Sequence, residues 1–253
     1  MVVRERFVPD PSLTRDDMEA LQHEIAATAR FTDDPPRDPA ALTDELVAGV
    51  DQAFLDDRVV SAIVVCRGDA AVERVWATAP LEIPYIPGLL SFREGGSILA
   101  AFDALEHDPA FVLFDGSGRI HFRQAGLATH IGVVLDRQSI GVAKNLLCGR
   151  PRESLEDPLP DGARVMIEAD DSVSAPDGTV IGAAVQTRQY DSGAQYINPV
   201  YVSPGHRFGV ETAADCVEAL CAGYKLPEPI RLADRYAGEI ADDLTAGRLD
   251  DEV

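Results

Sequence analysis

The stretch ELVAGVDQAFLDDRVVSAIVVCRGDAAVERVWATA, residues 45–79, decides the fold class. It contains three apolar runs rich in β-branched residues, which turn residues separate at Asp56-Asp57 and at Gly68-Asp69. Runs of this length, divided by short polar turns, are typical of neighbouring antiparallel strands. The stretch therefore predicts a three-stranded antiparallel meander.

Outward from the meander, segments with helical spacing alternate with short apolar runs. Helices are predicted over residues 12–30, with Ser12 or Thr14 as the cap, and over 91–108, 125–136 and 210–225. Strands are predicted over residues 110–119, 138–144, 163–169, 179–188 and 199–207. A meander followed by this alternation favours an α/β fold, in which helices flank a mixed β-sheet.

The domain organisation follows from breaks in this pattern. The proline-rich segment DDPPRDPA, residues 33–40, predicts a linker after the first helix, so residues 1–40 form an N-terminal helix and linker. Residues 41–237 form the main domain, on which that helix packs. The acidic residues 238–253 are expected to be a disordered or weakly helical tail.

Composition limits the cellular setting. The formal net charge is −21, and only Lys144 and Lys225 among the 22 basic residues are lysines. This charge favours adaptation to a salty cytoplasm, with ordinary acidic solubility as the alternative. The sequence has no long apolar run and no signal-peptide pattern, and its four cysteines form no CxxC pair. A cytoplasmic protein with reduced thiols, no membrane span and a monomeric state is expected.

Three acids stand where elements begin, break or end. Asp51 interrupts an apolar strand, Asp115 ends another, and Glu94 opens a helix. Each alone is also explained by a cap, a turn or a salt bridge. Together they favour a metal site, because a carboxylate in a core is costly unless it is paired or binds an ion. Carboxylates that hold one or two Mg²⁺ ions are a recurring apparatus of phosphodiester hydrolysis.

Other polar residues point to the same chemistry. His121 and His206 lie in turn-rich segments beside arginines, where a structural role and an active-site role are equally supported. His130, at helical spacing among apolar residues, is predicted to be structural. Lys144 ends an apolar strand, and its retention in a lysine-poor chain suggests a compact charge for a phosphate or a water. The loop Pro84-Tyr85-Ile86-Pro87 would by itself be a rigid surface turn.

Four motifs in order carry a resemblance to a known family: PYIPGLLSFREG, FDGSGRIHFRQAGLATHIG, IGVAKNLLCG and PVYVSPGHRFGVETA. Together they resemble the endonuclease V family, and the charge indicates a halophilic member. The resemblance implies an RNase H-like fold and a metal-dependent endodeoxyribonuclease of DNA repair. It also implies Mg²⁺, with Mn²⁺ as a substitute, and hydrolysis of the second phosphodiester bond 3′ of a hypoxanthine nucleotide. The products would carry a 3′-hydroxyl and a 5′-phosphate.

The resemblance also implies roles for individual residues. Asp51, Asp115 and Glu94 match the metal-binding acids, while Lys144, His206 and His121 match further catalytic positions. Pro84, Tyr85, Ile86 and Pro87 match a wedge that separates DNA strands, and Gly88, Leu90, Gly116 and Leu127 match the pocket for the flipped base. Arg93, Arg119 and Arg123 are expected to contact phosphates.

Two departures from the family pattern stand out. Phe54 replaces a usual tyrosine, and Phe122 replaces the proline of a common HPR motif. Three alternatives stay open: cleavage of inosine-containing RNA, binding of deaminated nucleic acid without cleavage, and an RNase H-like nuclease of other specificity. DNA that contains deaminated bases is the expected partner.

Overall fold

The computed structural model describes residues 3–155, 158–190 and 196–249. Its helices are α1 (Arg15–Thr28), α2 (Leu90–Asp103), α3 (Leu127–Val134), α4 (Val210–Ala219) and α5 (Glu228–Thr245). Its strands are β1 (Leu46–Phe54), β2 (Arg58–Arg67), β3 (Ala70–Pro80), β4 (Phe111–Asp115), β5 (Ser139–Ala143), β6 (Arg150–Pro151), β7 (Arg164–Glu168), β8 (Val180–Val185) and β9 (Val200–His206). Thr14 caps α1, since its side chain accepts a hydrogen bond from the Asp17 amide.

The strands form one mixed sheet in the order β3-β2-β1-β4-β5-β9-β8-β7-β6. The antiparallel pairing of β1 with β2 and of β2 with β3 confirms the predicted meander. Strand β1 then runs parallel to β4, and β4 parallel to β5, whereas β9 returns antiparallel to β5. This topology is the RNase H-like mixed sheet that the sequence predicts.

Helices cover both faces of the sheet, as strand alternation requires. Ala48 and Val50 of β1 face the core beneath α2 and α3. Val47, the residue before Ala48, points to the opposite face and belongs to the core beneath α4 and α5. Odd-numbered residues of β1 therefore face α5, and Asp51 shares that parity.

Gly49 lets α5 approach the sheet closely. A Cβ atom at Gly49 would lie 2.1 Å from the carbonyl carbon of Pro229, so no larger residue fits there without displacing the backbone of α5. The first turn of α5 is thereby seated on β1, two residues before Asp51. The following turn of α5 reaches the region where β1 and β4 carry their acids.

The structure corrects the expectation for the C-terminus. Helix α5 runs from Glu228 to Thr245, across the predicted boundary between residues 237 and 238. Its buried side chains Ile230, Ala233, Ala237 and Ile240 recur at helical spacing, so the segment is a packed amphipathic helix. Residues 250–253 of the predicted tail lie outside the described residues. Strand β6 was not predicted either.

Two predictions from composition can be compared with the structure. All four cysteines are free, and three of them, Cys66, Cys148 and Cys216, are buried. No helix within the described ranges is long and apolar enough to cross a membrane.

Candidate active site

The parallel pairing of β1 with β4 places two carboxylates side by side. Val50 pairs with Phe114, so the next residues, Asp51 and Asp115, are neighbours across the two strands. Like the odd-numbered residues before them on β1 and β4, both point to the face of the sheet that α5 covers. Asp51 is 6% exposed, and the Asp115 side chain is 16% exposed. Two acids are thus held at the carboxyl end of a parallel strand pair, the edge at which α/β folds bind ligands.

The electrostatics of these acids are unfavourable without a cation. Burial raises the pKa of Asp51 to about 8, and the negative charge of Asp115 adds to the effect. Burial also raises the pKa of Glu94 to about 8; Arg93 opposes this shift and Asp115 reinforces it. The negative charge of Asp115 therefore raises the pKa of both other acids. Such mutual repulsion in a buried place is typical of a site that binds a cation.

Lys144, immediately after β5, partly neutralises this cluster. Its Nζ lies 2.6 Å from Asp115 Oδ2, and its side chain is about half exposed. Burial lowers the pKa of Lys144, but the hydrogen bond to Asp115 and the charges of Asp115 and Asp51 outweigh that effect and raise it. The residue is consequently a fixed ammonium charge at the acid pair.

Two residues that sequence reasoning missed also belong here. The charge of Asp234, on α5, raises the pKa of both Asp51 and Lys144, so its carboxylate lies within electrostatic range of the acid pair. Lys225, in the loop before α5, has a pKa lowered by burial and by the charge of Lys144. The two lysines of the chain therefore lie within electrostatic range of each other. The helical spacing of α5 was the signal that could have drawn attention to Asp234.

These side chains supply the oxygen ligands that a hard divalent cation prefers, but they are not yet arranged around a single point. Within the described residues, Oδ2 of Asp51 is buried without a hydrogen-bond partner, which leaves an oxygen free to ligate. Over the same ranges, no three His, Cys, Asp or Glu side chains converge as a metal site would require. Instead, Lys144 lies on Asp115. The oxygen donor set fits Mg²⁺ or Mn²⁺, provided that side chains shift to admit the ion.

A cavity of about 330 Å³ opens beside these acids. All four residues predicted to form the base pocket line it, namely Gly88, Leu90, Gly116 and Leu127. Asp115 and Lys144 form part of the same wall, together with Gln22, Tyr85 and His121. The volume is at the lower end of the roughly 300–1,000 Å³ found for small-molecule sites. The structure thus brings the predicted pocket into contact with part of the predicted catalytic cluster.

His121 is fixed as a neutral donor at this cavity. Its Nδ1 accepts hydrogen bonds from the backbone amides of Arg123 and Ala125 (3.2 and 3.4 Å), so the proton is on Nε2. Nε2 donates to the carbonyl oxygen of Gly88 at 3.0 Å. Burial and the nearby Arg123 lower the pKa of His121 to about 3. His121 therefore shapes the cavity wall as an uncharged group.

The predicted wedge is a loop between β3 and α2, with its ends fastened. Ile83 and Ile86 pack against a small apolar cluster that includes Met18 and Phe92. Tyr85 between them is 65% exposed and lines the cavity entrance. Pro84 and Pro87 border this tip in the sequence. The loop thus presents one aromatic ring from an anchored base.

His206 lies away from the cavity, although the resemblance assigns it a catalytic position. Because β9 runs antiparallel to β5, His206 pairs with Ser139, at the start of β5, whereas Tyr201 pairs with Ala143 near Lys144. The length of β5 separates the two ends by about 13 Å. His206 is 1% exposed, and its Nε2 lies 3.2 Å from Asp136 Oδ1. It is not among the residues that the structure brings together.

Two of the arginines predicted to contact phosphate make internal contacts. Arg119 donates to Gln124 and lies over the ring of Phe31. Arg123 donates to Gln22 and lies 3.5 Å from a carboxylate oxygen of Glu19. These bonds hold the loop after β4 and do not present free guanidinium groups at the cavity.

The two departures from the family pattern have different surroundings. Phe54 is 48% exposed, and the guanidinium of Arg93 lies over its ring at 5.3 Å. Arg93 also donates to the carbonyl of Ile83, so it connects Phe54 with the wedge loop. The ring of Phe122 lies against Gly88, where a Cβ atom would come within 2.9 Å of it. Gly88 has a φ of +83°, which independently favours glycine there.

His130, predicted to be structural, is fully buried in α3. Its two ring nitrogens lie 2.7 Å from the Ser91 hydroxyl and 2.8 Å from the Phe7 carbonyl oxygen. Burial lowers its pKa to about 4. These bonds connect the N-terminal segment with α2 and α3, which confirms the prediction.

Comparison with known proteins gives one consistent family. The family model described as Endonuclease V matches residues 25–235. A protein named Endonuclease V from Haloarcula marismortui is 59% identical over 260 aligned positions, which cover 94% of this chain and 96% of that protein. A crystal structure of an Endonuclease V from Streptomyces avermitilis is 34% identical, with a TM-score of 0.78 over 92% of this chain and 95% of that one.

A third similar protein was crystallised with nucleic acid. The Endonuclease V of Ciona intestinalis is 25% identical, with a TM-score of 0.73, and the match covers 90% of this chain and 98% of that one. Its structure is a complex with a 24mer DNA that contains an inosine followed by a ribo-adenosine.

Proposed function

The chain belongs to the endonuclease V family, and from that premise we propose that it is a DNA repair endonuclease for deaminated bases. The substrate is DNA that contains hypoxanthine. The reaction is hydrolysis of the second phosphodiester bond 3′ of the lesion, which leaves a 3′-hydroxyl and a 5′-phosphate. Mg²⁺ is the proposed cofactor, and Mn²⁺ its substitute.

This proposal rests on one observation: the cavity lies directly beside the acid pair Asp51 and Asp115. One wall of the cavity contains Asp115 and Lys144, and Asp51 is the neighbour of Asp115. A base held in the cavity would therefore keep its own strand beside the acids. A separate nuclease site and a separate base pocket would not need this shared wall.

The acids would hold the cation in this proposal. Asp51 and Asp115 supply carboxylate oxygens, Glu94 contributes a third acid, and Asp234 a fourth near the pair. When bound, Mg²⁺ lowers the pKa of a coordinated water and polarises the scissile phosphate. Lys144 places a fixed positive charge beside Asp115, where negative charge develops on the phosphate.

The wedge loop and the cavity would select the lesion. Tyr85 is exposed and anchored on both sides, so its ring can fill the gap in a duplex when a base leaves the stack. The resemblance assigns base contacts to backbone groups of the cavity. The amide of Leu90, the first residue of α2, has no acceptor within the helix and is available as a donor to a base oxygen.

Cleavage of defined oligonucleotides tests the proposal. End-labelled duplexes and single strands with one inosine, in DNA or in RNA, are incubated with the protein in Mg²⁺ and high KCl. The Asp115→Asn protein serves as the inactive form, and Asp177→Asn, at an exposed position paired with Arg150, is the matched control. One cut at the second phosphodiester 3′ of inosine, retained in Asp177→Asn and lost in Asp115→Asn, is the expected result.

Other outcomes separate the alternatives. Faster cleavage of the RNA strands would make the protein an inosine ribonuclease. Retained binding to inosine with no cleavage in any metal would make it a binder of deaminated nucleic acid. Equal cleavage of strands with and without inosine would make it a nuclease of other specificity and would refute the role of the cavity.

A further inference from the structure

The carbonyl oxygen of Gly88, in the cavity wall, is held by three side-chain donors. Gln22 Nε2 lies 2.8 Å from it, His121 Nε2 lies 3.0 Å away, and Arg123 Nη2 lies 3.5 Å away. A carbonyl oxygen has two lone pairs, so the two shorter bonds already occupy its accepting capacity. The oxygen is therefore closed to any further donor in the cavity.

Gln22 is the unexpected member of this set because it comes from α1, far from the other pocket residues in sequence. It is 1% exposed, and both ends of its amide are used. The amide nitrogen donates to the Gly88 and Ala125 carbonyls, while Oε1 accepts from Arg123 Nε at 2.7 Å. Its orientation is therefore fixed, since a flipped amide would set nitrogen against nitrogen and oxygen against oxygen.

We propose that Gln22 is a specificity-determining positioning residue, which occupies the Gly88 carbonyl so that the cavity rejects adenine. This inference rests on the proposed function, because it concerns discrimination by the same cavity. Adenine carries an amino donor at position 6 and an acceptor at N1, whereas hypoxanthine carries a carbonyl acceptor at position 6 and an N–H donor at N1; the discrimination proposed for Gln22 concerns position 6. A wall whose carbonyl is already occupied leaves an adenine amino group without a partner. An unpaired buried donor is costly, so adenine is disfavoured.

Two substitutions separate this role from a purely structural one. Gln22→Met removes all three hydrogen bonds of the Gln22 amide at similar volume and frees one lone pair of the Gly88 carbonyl oxygen. Gln22→Glu keeps an acceptor for Arg123 but cannot donate to Gly88, and it adds a second acceptor oxygen at the cavity. If Gln22 acts by occupying the Gly88 carbonyl, Gln22→Glu should lose at least as much discrimination between inosine and adenosine as Gln22→Met. If Gln22 only anchors α1, Gln22→Glu should keep more discrimination than Gln22→Met, since it retains the contact with Arg123.

Gln138 provides a matched control. Its amide nitrogen donates to the carbonyls of Pro35 and Arg207, and its Oε1 accepts from Arg37 Nε. This is the bonding pattern of Gln22. Gln138 is likewise buried (4% exposed), but it stands immediately before the start of β5, at the opposite end of that strand from Lys144. Gln138→Met should lower the melting temperature without changing base discrimination.

The experiment measures binding of labelled single strands by fluorescence anisotropy in EDTA, and cleavage of the same strands in Mg²⁺. Single strands remove differences in base pairing. Each strand carries one inosine, one adenosine or one unsubstituted purine nucleoside at the same position. The ratio of inosine to adenosine affinity should fall about tenfold in both Gln22 variants. Affinity for adenosine should also rise relative to the unsubstituted purine, which isolates the amino group.

Each remaining outcome has one meaning. If the wild-type protein does not prefer inosine, the proposed function fails before Gln22 is tested. If the wild type prefers inosine and both variants keep its ratios, the inference about Gln22 is overturned. An equal fall in Gln138→Met, or equal losses for all three strands in the Gln22 variants, would show general loosening and would also overturn it.

Discussion

Replacing Asp51 by asparagine should stabilise the metal-free protein while it abolishes cleavage. The pKa of Asp51 is about 8 in the folded chain, against an ordinary value of 3.8. A carboxyl whose folded pKa is raised favours folding at low pH, and this contribution is lost as pH rises from about 4 to about 8. Four pK units correspond to an upper limit of about 5 kcal/mol at pH 8.

The expected gain is smaller than this limit. The folded chain and water can rearrange around a buried charge and reduce the burial penalty, so about 1–3 kcal/mol is expected at pH 8. For a chain of 253 residues this corresponds to a melting temperature about 2–10 °C higher. The difference between Asp51→Asn and wild type should shrink as the pH falls from 8 to 5. The side-chain oxygen of asparagine can keep the bond that Asp51 Oδ1 accepts from the Gln52 amide.

Thermal melts by circular dichroism in EDTA and constant KCl, at pH 5, 6, 7 and 8, measure this effect. Asp177→Asn is the control of opposite sign, because the hydrogen bond from Arg150 lowers the pKa of Asp177 and neutralisation removes a favourable contact. Added Mg²⁺ should raise the melting temperature of the wild type more than that of Asp51→Asn. An Asp51→Asn protein that melts at or below wild type at pH 8 would refute the account of Asp51 as a repelled buried carboxylate.

Three further predictions concern Tyr85, Asp234 and His130. Tyr85→Ala should change the unfolding free energy by less than about 0.5 kcal/mol, because the ring is exposed, yet slow cleavage of inosine duplexes more than of single strands. Equal slowing of both would remove the wedge role. Asp234→Asn should lower the cleavage rate at least tenfold with an unchanged circular dichroism spectrum, and wild-type rates would exclude Asp234 from the acid cluster. His130 is buried and neutral, with a pKa of about 4, so the folded protein should lose stability as pH falls from 6.5 towards 4, because only the unfolded chain binds a proton there. The unfolding free energy measured in urea should therefore depend less on pH in His130→Gln.

The sheet could be predicted from the sequence because its signals are local. The runs of β1 to β3 carry their own β-branched composition and turns, and the structure pairs them as predicted. Asp51 and Asp115 could be singled out for a similar reason, since each breaks or ends an apolar run. Helix α5 was missed because the acidic residues around Ile240 were interpreted as tail, although the apolar spacing continues through them.

The position of His206 could not be predicted, because it depends on the direction of a strand. A parallel β9 would have brought its last residue beside Lys144, whereas the antiparallel pairing takes it to the start of β5. The contribution of Asp234 depends in the same way on the seating of α5 against Gly49. Gln22 reaches the cavity only because α1 packs beside the wedge loop. Each is a long-range relation that no local pattern encodes.

The scarcity of lysine has a practical consequence for chemical labelling. Apart from the amino terminus, Lys144 and Lys225 are the only primary amines of the chain; Lys144 pairs with Asp115, and Lys225 lies within electrostatic range of Lys144. The pKa of Lys225 is lowered and that of Lys144 is raised, so an amine-selective reagent at mildly alkaline pH should modify Lys225 before Lys144. A fluorophore attached in this way needs no engineered cysteine, and it would lie within electrostatic range of Lys144, which lines the cavity. The purified protein thus carries its own attachment point for following the arrival of a DNA strand.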